Sequence, residues 1–418
     1  MSGVDYNVPG IYRELVRESP EVEFRTGTPA FLGLVHPGAV LPDEPPVLLR
    51  PDHLRERVDR PLDGGYLEAA VRGFFDNGGQ RCRVLPIRAP TESLVELTND
   101  DLHGPMVEAL RELENVEEVD LLAFPDLMLP LKAGGSDAAA REAKWAEIID
   151  AQAELVRHCH KTHHRMAILD APPVMPGTLA AGLAEAQEYA AELREALRVR
   201  DPAMLHDAAL YFPWLRPERG PGSGGFMPPS GHVAGVYARM DAMTGVHRAP
   251  AGVDVVGVCD LSVDVGDAEQ GPLLEAGVNC LRAFRGRGIK IWGARTLDPS
   301  RDGRFVSVRR LIQTIGRWLE YRLVDVTMEP NDQLLWNRVA RTVSGYLDEL
   351  YAAGALRGRI AADAYYIKCD SETNPPEVRD AGMMVAEIGI APLAPQEFIT
   401  VRLVQRSEGL SLTEAAPG

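Results

Sequence analysis

The sequence predicts an α/β (α+β) chain of two domains, with mixed β-sheets flanked by helices and a strand-forming arm at each end. Three observations carry this. Stretches of helical period alternate with short apolar runs from about Asp63 onward. The alternation restarts near Gly277 after a long irregular region. Both termini alternate polar and apolar residues, the period of a strand with one buried face.

In order, Leu67, Val71, Phe74 and Phe75 fall at helical spacing within Asp63–Asn77, and Gly78-Gly79 supplies a left-handed stop. Cys82–Ile87 reads as a buried strand. A helix near Pro105–Leu113, a strand at Val119–Phe124, a helix from Ser136 to about His160 and a strand at Met166–Leu169 continue the rhythm, which implies at least partly parallel pairing. Gly177–Arg200 is rich in Ala, Leu and Glu and predicts a helix closed by Asp201-Pro202, followed by a strand over Ala208–Leu215. Pro217–Pro229, with four glycines, predicts a loop. After Gly277 come strands Asn279–Phe284 and Ile289–Trp292, a helix Val308–Tyr321, a strand Leu323–Met328 and a helix capped by Asn331 and ended by Gly354. Tyr365–Cys369 and Met383–Ile390 predict the last strands of this domain. Val22 and Phe24 alternate with Glu21, Glu23 and Arg25, and Ile399, Val401 and Leu403 with their polar neighbours.

The 418 residues suffice for two or three domains at about 150 each. With 44 Lys and Arg against 61 Asp and Glu, the formal charge is −17, which disfavours nonspecific adhesion to nucleic acid or anionic lipid. Apolar runs fall short of the roughly 18 residues that span a bilayer, so no membrane insertion is expected. Met1–Val8 carries Asp5 and neither a basic cluster nor a following apolar core, so no secretory leader is expected and synthesis is placed in the cytoplasm. The five cysteines are odd in number and form no C-x-x-C pair, which predicts reduced thiols.

The chemistry-bearing residues are sparse. His158, His160, His163 and His164 cluster at a predicted helix end, with His160 and His164 at the four-residue spacing that can place two imidazoles on one face. With Asp170 this cluster defines an alternative reading, a metal-dependent α/β enzyme. Against it, basic residues at a helix C-terminus are favoured by the macrodipole alone. No phosphate-binding glycine motif and no nucleophile elbow around Ser223 or Ser230 is present. Asp170 and Asp370 follow strands but sit among turn formers, which predicts turn or capping roles. No catalytic residue, cofactor or metal ligand is therefore assigned. Arg309, Arg310 and Arg317 lie on a helix whose apolar face is Leu311, Ile312, Ile315 and Leu319, and project elsewhere on the cylinder, as a solvated face or a docking patch.

Several strings are more specific. Ala209-Leu210-Tyr211-Phe212-Pro213-Trp214-Leu215, Pro228-Pro229-Ser230-Gly231-His232-Val233-Ala234-Gly235 and Gly277-Val278-Asn279-Cys280-Leu281-Arg282 closely resemble the contractile phage tail sheath family. Ile291–Leu297, Glu329-Pro330-Asn331-Asp332 and Cys369–Asn374 extend the resemblance, in order, across nearly the whole chain. That family includes the sheaths of phage tails, R-type bacteriocins and phage-like injection systems.

The resemblance implies an N-terminal arm at 1–25, a sheath α/β domain at 26–276, a C-terminal domain facing an inner tube at 277–396 and a C-terminal strand and tail at 397–418. It implies a homo-oligomer of sixfold rings stacked helically around an inner tube protein, bounded by baseplate and cap proteins, with other sheath paralogues as candidate co-assembly partners. It also implies strand exchange between subunits, for which Ile11, Tyr12 and Leu15 at one end and Ile399, Val401 and Leu403 at the other are candidates. Arg309, Arg310 and Arg317 become candidates for gripping an acidic tube. No direct nucleic-acid contact is implied, and the product is a tail or tail-like particle.

Overall fold

A computed structural model describes residues 24–91, 98, 100–132, 138–174, 179–219, 225–326, 328–393, 399–406 and 409–414. Its largest element is a nine-stranded sheet. In chain order the strands are β1 (Pro29–Val35), β2 (Val47–Leu48), β3 (Cys82–Arg88), β4 (Leu121–Ala123), β5 (Met166–Asp170) and β6 (Ala208–Phe212). They continue with β7 (Leu215–Pro217), β8 (Val253–Asp254), β9 (Val258–Leu261), β10 (Val278–Phe284) and β11 (Gly288–Ile291). The large sheet runs β2-β3-β1-β4-β5-β6-β10-β11-β8, and β7 pairs with β9 separately. Its centre, from β3 to β10, is parallel, while β2, β11 and β8 close the edges antiparallel.

β1 lies inside the parallel part of the sheet, between β3 and β4, and every residue of it is buried. Such a strand is covered on both faces by helices and carries no alternation, only a continuous apolar run. At Gly33 an added Cβ would collide with the Leu67 side chain, so this strand and the Leu67–Asp76 helix pack in contact. The Ser230–Thr244 helix crosses that helix through Gly231 against Ala70 and Gly235 against the Phe74 carbonyl, where a Cβ has no room.

The second core is smaller. β12 (Tyr365–Lys368), β13 (Met384–Ile390), β14 (Ile399–Arg406) and β15 (Gly409–Glu414) form an antiparallel sheet in that order. The helices Val306–Leu323 and Gln333–Ala352 pack on it through Leu311, Ile315, Leu319, Val339, Val343 and Leu347, with Trp318 stacked on Tyr346 at 3.9 Å.

Three sequence expectations are corrected. The strands after Gly277 do not begin a second unit: β10 pairs in parallel with β6, and the change of core falls within the Val306–Leu323 helix, whose Val306 belongs to the first core and Leu311 to the second. Leu323–Met328 is not a strand. Leu319, Leu323 and Val326 keep helical spacing into the second core, so the helix runs to Leu323 and tightens into a 3₁₀ turn over Val324–Val326. The cap of the next helix is Asp332, whose carboxylate accepts from Leu334 N and Leu335 N, while Asn331 donates to Met383 O and accepts from the Trp336 indole.

Candidate functional site

The Val306–Leu323 helix joins the two cores, and its arginines do the joining. Arg309, Arg310 and Arg317 are 6%, 4% and 6% exposed. They are therefore neither a solvated face nor a surface offered to an inner tube, and that expectation is withdrawn. With Gln313 they form a second helical face, on the opposite side of the cylinder from the apolar one, that packs on the large-sheet unit. Being charged, this face reads from sequence as either solvated or docked on a partner, both of them outside the chain; the spacing 309, 310, 313, 317 is the signal that it is a contact face within it.

Each arginine finds a different element. Arg310 donates to Asp241 Oδ1 at 2.7 Å, at the end of the Ser230–Thr244 helix, and to Asp120 Oδ2 at 3.0 Å, just before β4. Its guanidinium also lies over the Tyr237 ring at 5.1 Å. Asp120 in turn accepts from Gly27 N at 2.8 Å and Thr28 N at 2.7 Å, fixing the entry to β1. Arg309 Nε donates to Asp207 Oδ1 at 2.9 Å, and Gln313 donates to the same oxygen at 3.0 Å and to Arg165 O at 2.7 Å. Arg317 donates to the carbonyls of Arg25 and Glu118 and stacks over Phe24 at 4.7 Å.

The electrostatics follow from burial and partners. Burial opposes the charge of Arg310, but Asp241 and Asp120 outweigh it and raise its pKa, so the guanidinium stays ionised. Burial pushes the Asp207 carboxyl up, yet Arg309, His206 and His160 together hold it down at about 2. Glu320, one turn beyond Arg317, is offset only in part by that arginine. Burial, with the Glu117 carboxylate adding to it, raises its pKa from the ordinary 4.5 to about 7. The folded chain then keeps a proton on Glu320 that the unfolded chain loses above 4.5, so this group makes stability fall as pH rises from about 4.5 to about 7. Glu320→Gln removes that slope. The variant is expected to match the native chain near pH 4 and to exceed it at pH 8 by about 1–2 kcal/mol after solvent screening, as read from urea titrations.

The histidines do not gather as the sequence spacing suggested. The helix ends at Thr162 and His163 turns into the left-handed region at φ 60°, which breaks the expected pairing of His160 with His164. His164 is half-buried in a separate place and held down at about 3 by the desolvation of its ring and by Arg165. His158 is a core residue whose Nε2 meets Arg165 at 2.6 Å, and Arg165 also ties down the carbonyls of Leu113 and Val116 after the preceding helix. His160 instead meets Asp207 and His206. Asp170 caps the Ser230–Thr244 helix by accepting from Ser230 N at 2.9 Å, with its carboxyl pushed up to about 7 by burial. Asp370 accepts from Glu372 N and Thr373 N in a turn.

Of the arm residues, Ile11, Tyr12 and Leu15 lie outside the described residues. Ile399, Val401 and Leu403 fall at alternate positions of β14, opposite Ile390, Ile388 and Ala386 of the chain's own β13. β14 is covered by β15 on its other side.

Comparison with known proteins gives a consistent result. The family model described as phage tail sheath protein central domain matches residues 203–297, and the phage tail sheath C-terminal domain matches residues 298–406. A tail sheath protein of Vibrio phage KVP40 is 26% identical over 197 residues, 45% of this chain and 28% of that protein. The chain thus matches well under half the length of this curated relative. Among solved structures, an anti-feeding prophage baseplate, sixfold symmetrised, is 26% identical with a TM-score of 0.64, covering 94% of this chain and 97% of the other. The PVC sheath complex of an extracellular contractile injection system, in its contracted state, is 25% identical with a TM-score of 0.65, covering 94% and 96%.

Proposed function

Because the chain belongs to the phage tail sheath family, we propose that it is the structural sheath subunit of a contractile injection apparatus, polymerising helically around an inner tube. The observation that carries this reading is the pair of sheath domains in unbroken order over residues 203–406, within a fold likeness that spans 94% of the chain. Its partners on this reading are further copies of itself in stacked sixfold rings, a tube protein, and baseplate and cap proteins.

The physics of such a subunit is that of contacts that repeat without closing. A heterologous interface whose rotation does not close generates a helix rather than a ring. Contraction is a passage from a kinetically trapped lattice to one of lower free energy, by rigid-body rearrangement. That requires subunits that do not come apart internally and links that hold while they slide. The buried arginine seam meets the first requirement by fixing the two cores to one helix. Strands added by the terminal arms to neighbouring sheets meet the second, each backbone hydrogen bond contributing about 0.5–1.5 kcal/mol net. On this account the chain makes and breaks no covalent bond.

Negative-stain microscopy and sedimentation of the purified chain test the reading. Hollow, striated tubes are expected. Discrete small oligomers at all concentrations would instead mark a soluble scaffold that shares the fold.

A further inference from the structure

His160, His206 and Asp207 present one donor atom each within 4.8 Å of the others. His160 closes the last turns of the Ala138–Thr162 helix, and the other two residues end the 3₁₀ turn Pro202–Asp207 that leads into β6. His160 Nδ1 lies 2.9 Å from Asp207 Oδ2, and His206 Nε2 lies 3.6 Å from the same oxygen. These separations bracket the roughly 3.3 Å between donors around a tetrahedral ion with bonds of about 2.0–2.1 Å.

From this geometry we propose that the three residues form a binding site for a divalent transition metal of the zinc class. The donor set, two imidazoles and one carboxylate, suits that class and not calcium or magnesium. The surroundings are built as a second layer. Asp207 Oδ1 is held by Arg309 and Gln313 at 2.9 and 3.0 Å, which leaves Oδ2 directed at the two rings. If Nδ1 of His160 is the ligand, its Nε2 faces the Asp201 carboxylate at 3.6 Å, an ionic neighbour outside hydrogen-bond distance. The side chain of Asp207 is fully buried, whereas those of His160 and His206 are 25% and 14% exposed, so an ion can enter from solvent and keep a water in its fourth position. The ion takes the place of the proton between His160 and Asp207. It thereby fastens the Ala138–Thr162 helix and the 3₁₀ turn to the carboxylate that Arg309 grips across the seam. The site is distinct from the His160 and His164 pairing that the sequence spacing suggested.

The test uses the full chain and Co²⁺ alone as the probe, with Zn²⁺ as competitor. The native protein is expected to bind about one equivalent of Co²⁺ with the visible absorption of a tetrahedral ion, to lose that band on adding Zn²⁺, and to melt at higher temperature with Zn²⁺ present. His206→Gln and His160→Gln are expected to abolish the band and the Zn²⁺-dependent rise in melting temperature. His36→Gln, on an exposed loop of the other sheet end, is expected to keep both. Absence of the band in the native protein, or its persistence in either ligand variant, would overturn the proposal. Should both variants fail to fold, spin-echo spectroscopy of the Cu²⁺-loaded native chain decides: two imidazoles on the ion support the site, and one or none refutes it.

Discussion

Replacing Arg310 with alanine is expected to destabilise the folded chain by about 3–5 kcal/mol, the range for removing one partner of a buried ion pair. The loss exceeds that of an ordinary core truncation because of what stays behind. Asp120 and Asp241 would remain as buried carboxylates, and Asp120 cannot turn away, since its oxygens hold the amides of Gly27 and Thr28. Arg310→Lys is not a rescue: an ammonium is a point donor and cannot span two carboxylates while lying over the Tyr237 ring. Urea titration monitored by circular dichroism reads the effect. A cost below about 1 kcal/mol, the scale of exposed pairs, would place the arginine on a solvated face after all.

The second large effect concerns assembly. Ending the chain after Gln396 removes β14 and β15 and leaves β13, Met384–Ile390, with an unpaired edge, while the sheet, helices and arginine seam of the main body are untouched. Both cores are expected to remain folded, with near-native far-ultraviolet circular dichroism, and ordered tubes are expected to vanish. Removal of residues 1–17 is expected to do the same. On the proposed reading the truncations separate folding from polymerisation, because they remove the linking arms and leave the large sheet, the helices and the arginine seam in place. Full-length sheath in microscopy of either truncated chain would show that strand addition is not what connects the copies.

Much of the architecture was legible because its signals are local. β3, β5, β10 and β13 fall within a residue or two of the expected bounds, and Gly78 and Gly354 both adopt the positive φ that ends a helix. β1 carried no periodic signal, since an interior parallel strand buried on both faces does not alternate. The place of β10 and β11 was misjudged because a strand's sequence does not say which sheet it joins; that is settled by the long-range pairing of Val278–Cys280 with Leu210–Phe212. The seam was misread for a related reason. Arginine on a helix is ordinarily solvated, and only the tertiary arrival of Asp120, Asp207 and Asp241, each distant in the chain, makes burial tolerable. The histidine cluster shows the same limit: its spacing was visible, but the left-handed turn at His163 and the presence of His206 and Asp207 beside His160 were not.

The account rests on copies of this chain forming a helical polymer in which each copy behaves as one body. Helical reconstruction by electron cryomicroscopy, before and after contraction, addresses both parts at once. It is expected to show a repeating sheath of this chain in which Arg310 keeps its contacts with Asp241 and Asp120, at 2.7 and 3.0 Å, in both lattices while whole subunits rotate and slide. A particle without a repeating lattice of this chain, or a contraction that parts the two cores at the Val306–Leu323 helix, would contradict it.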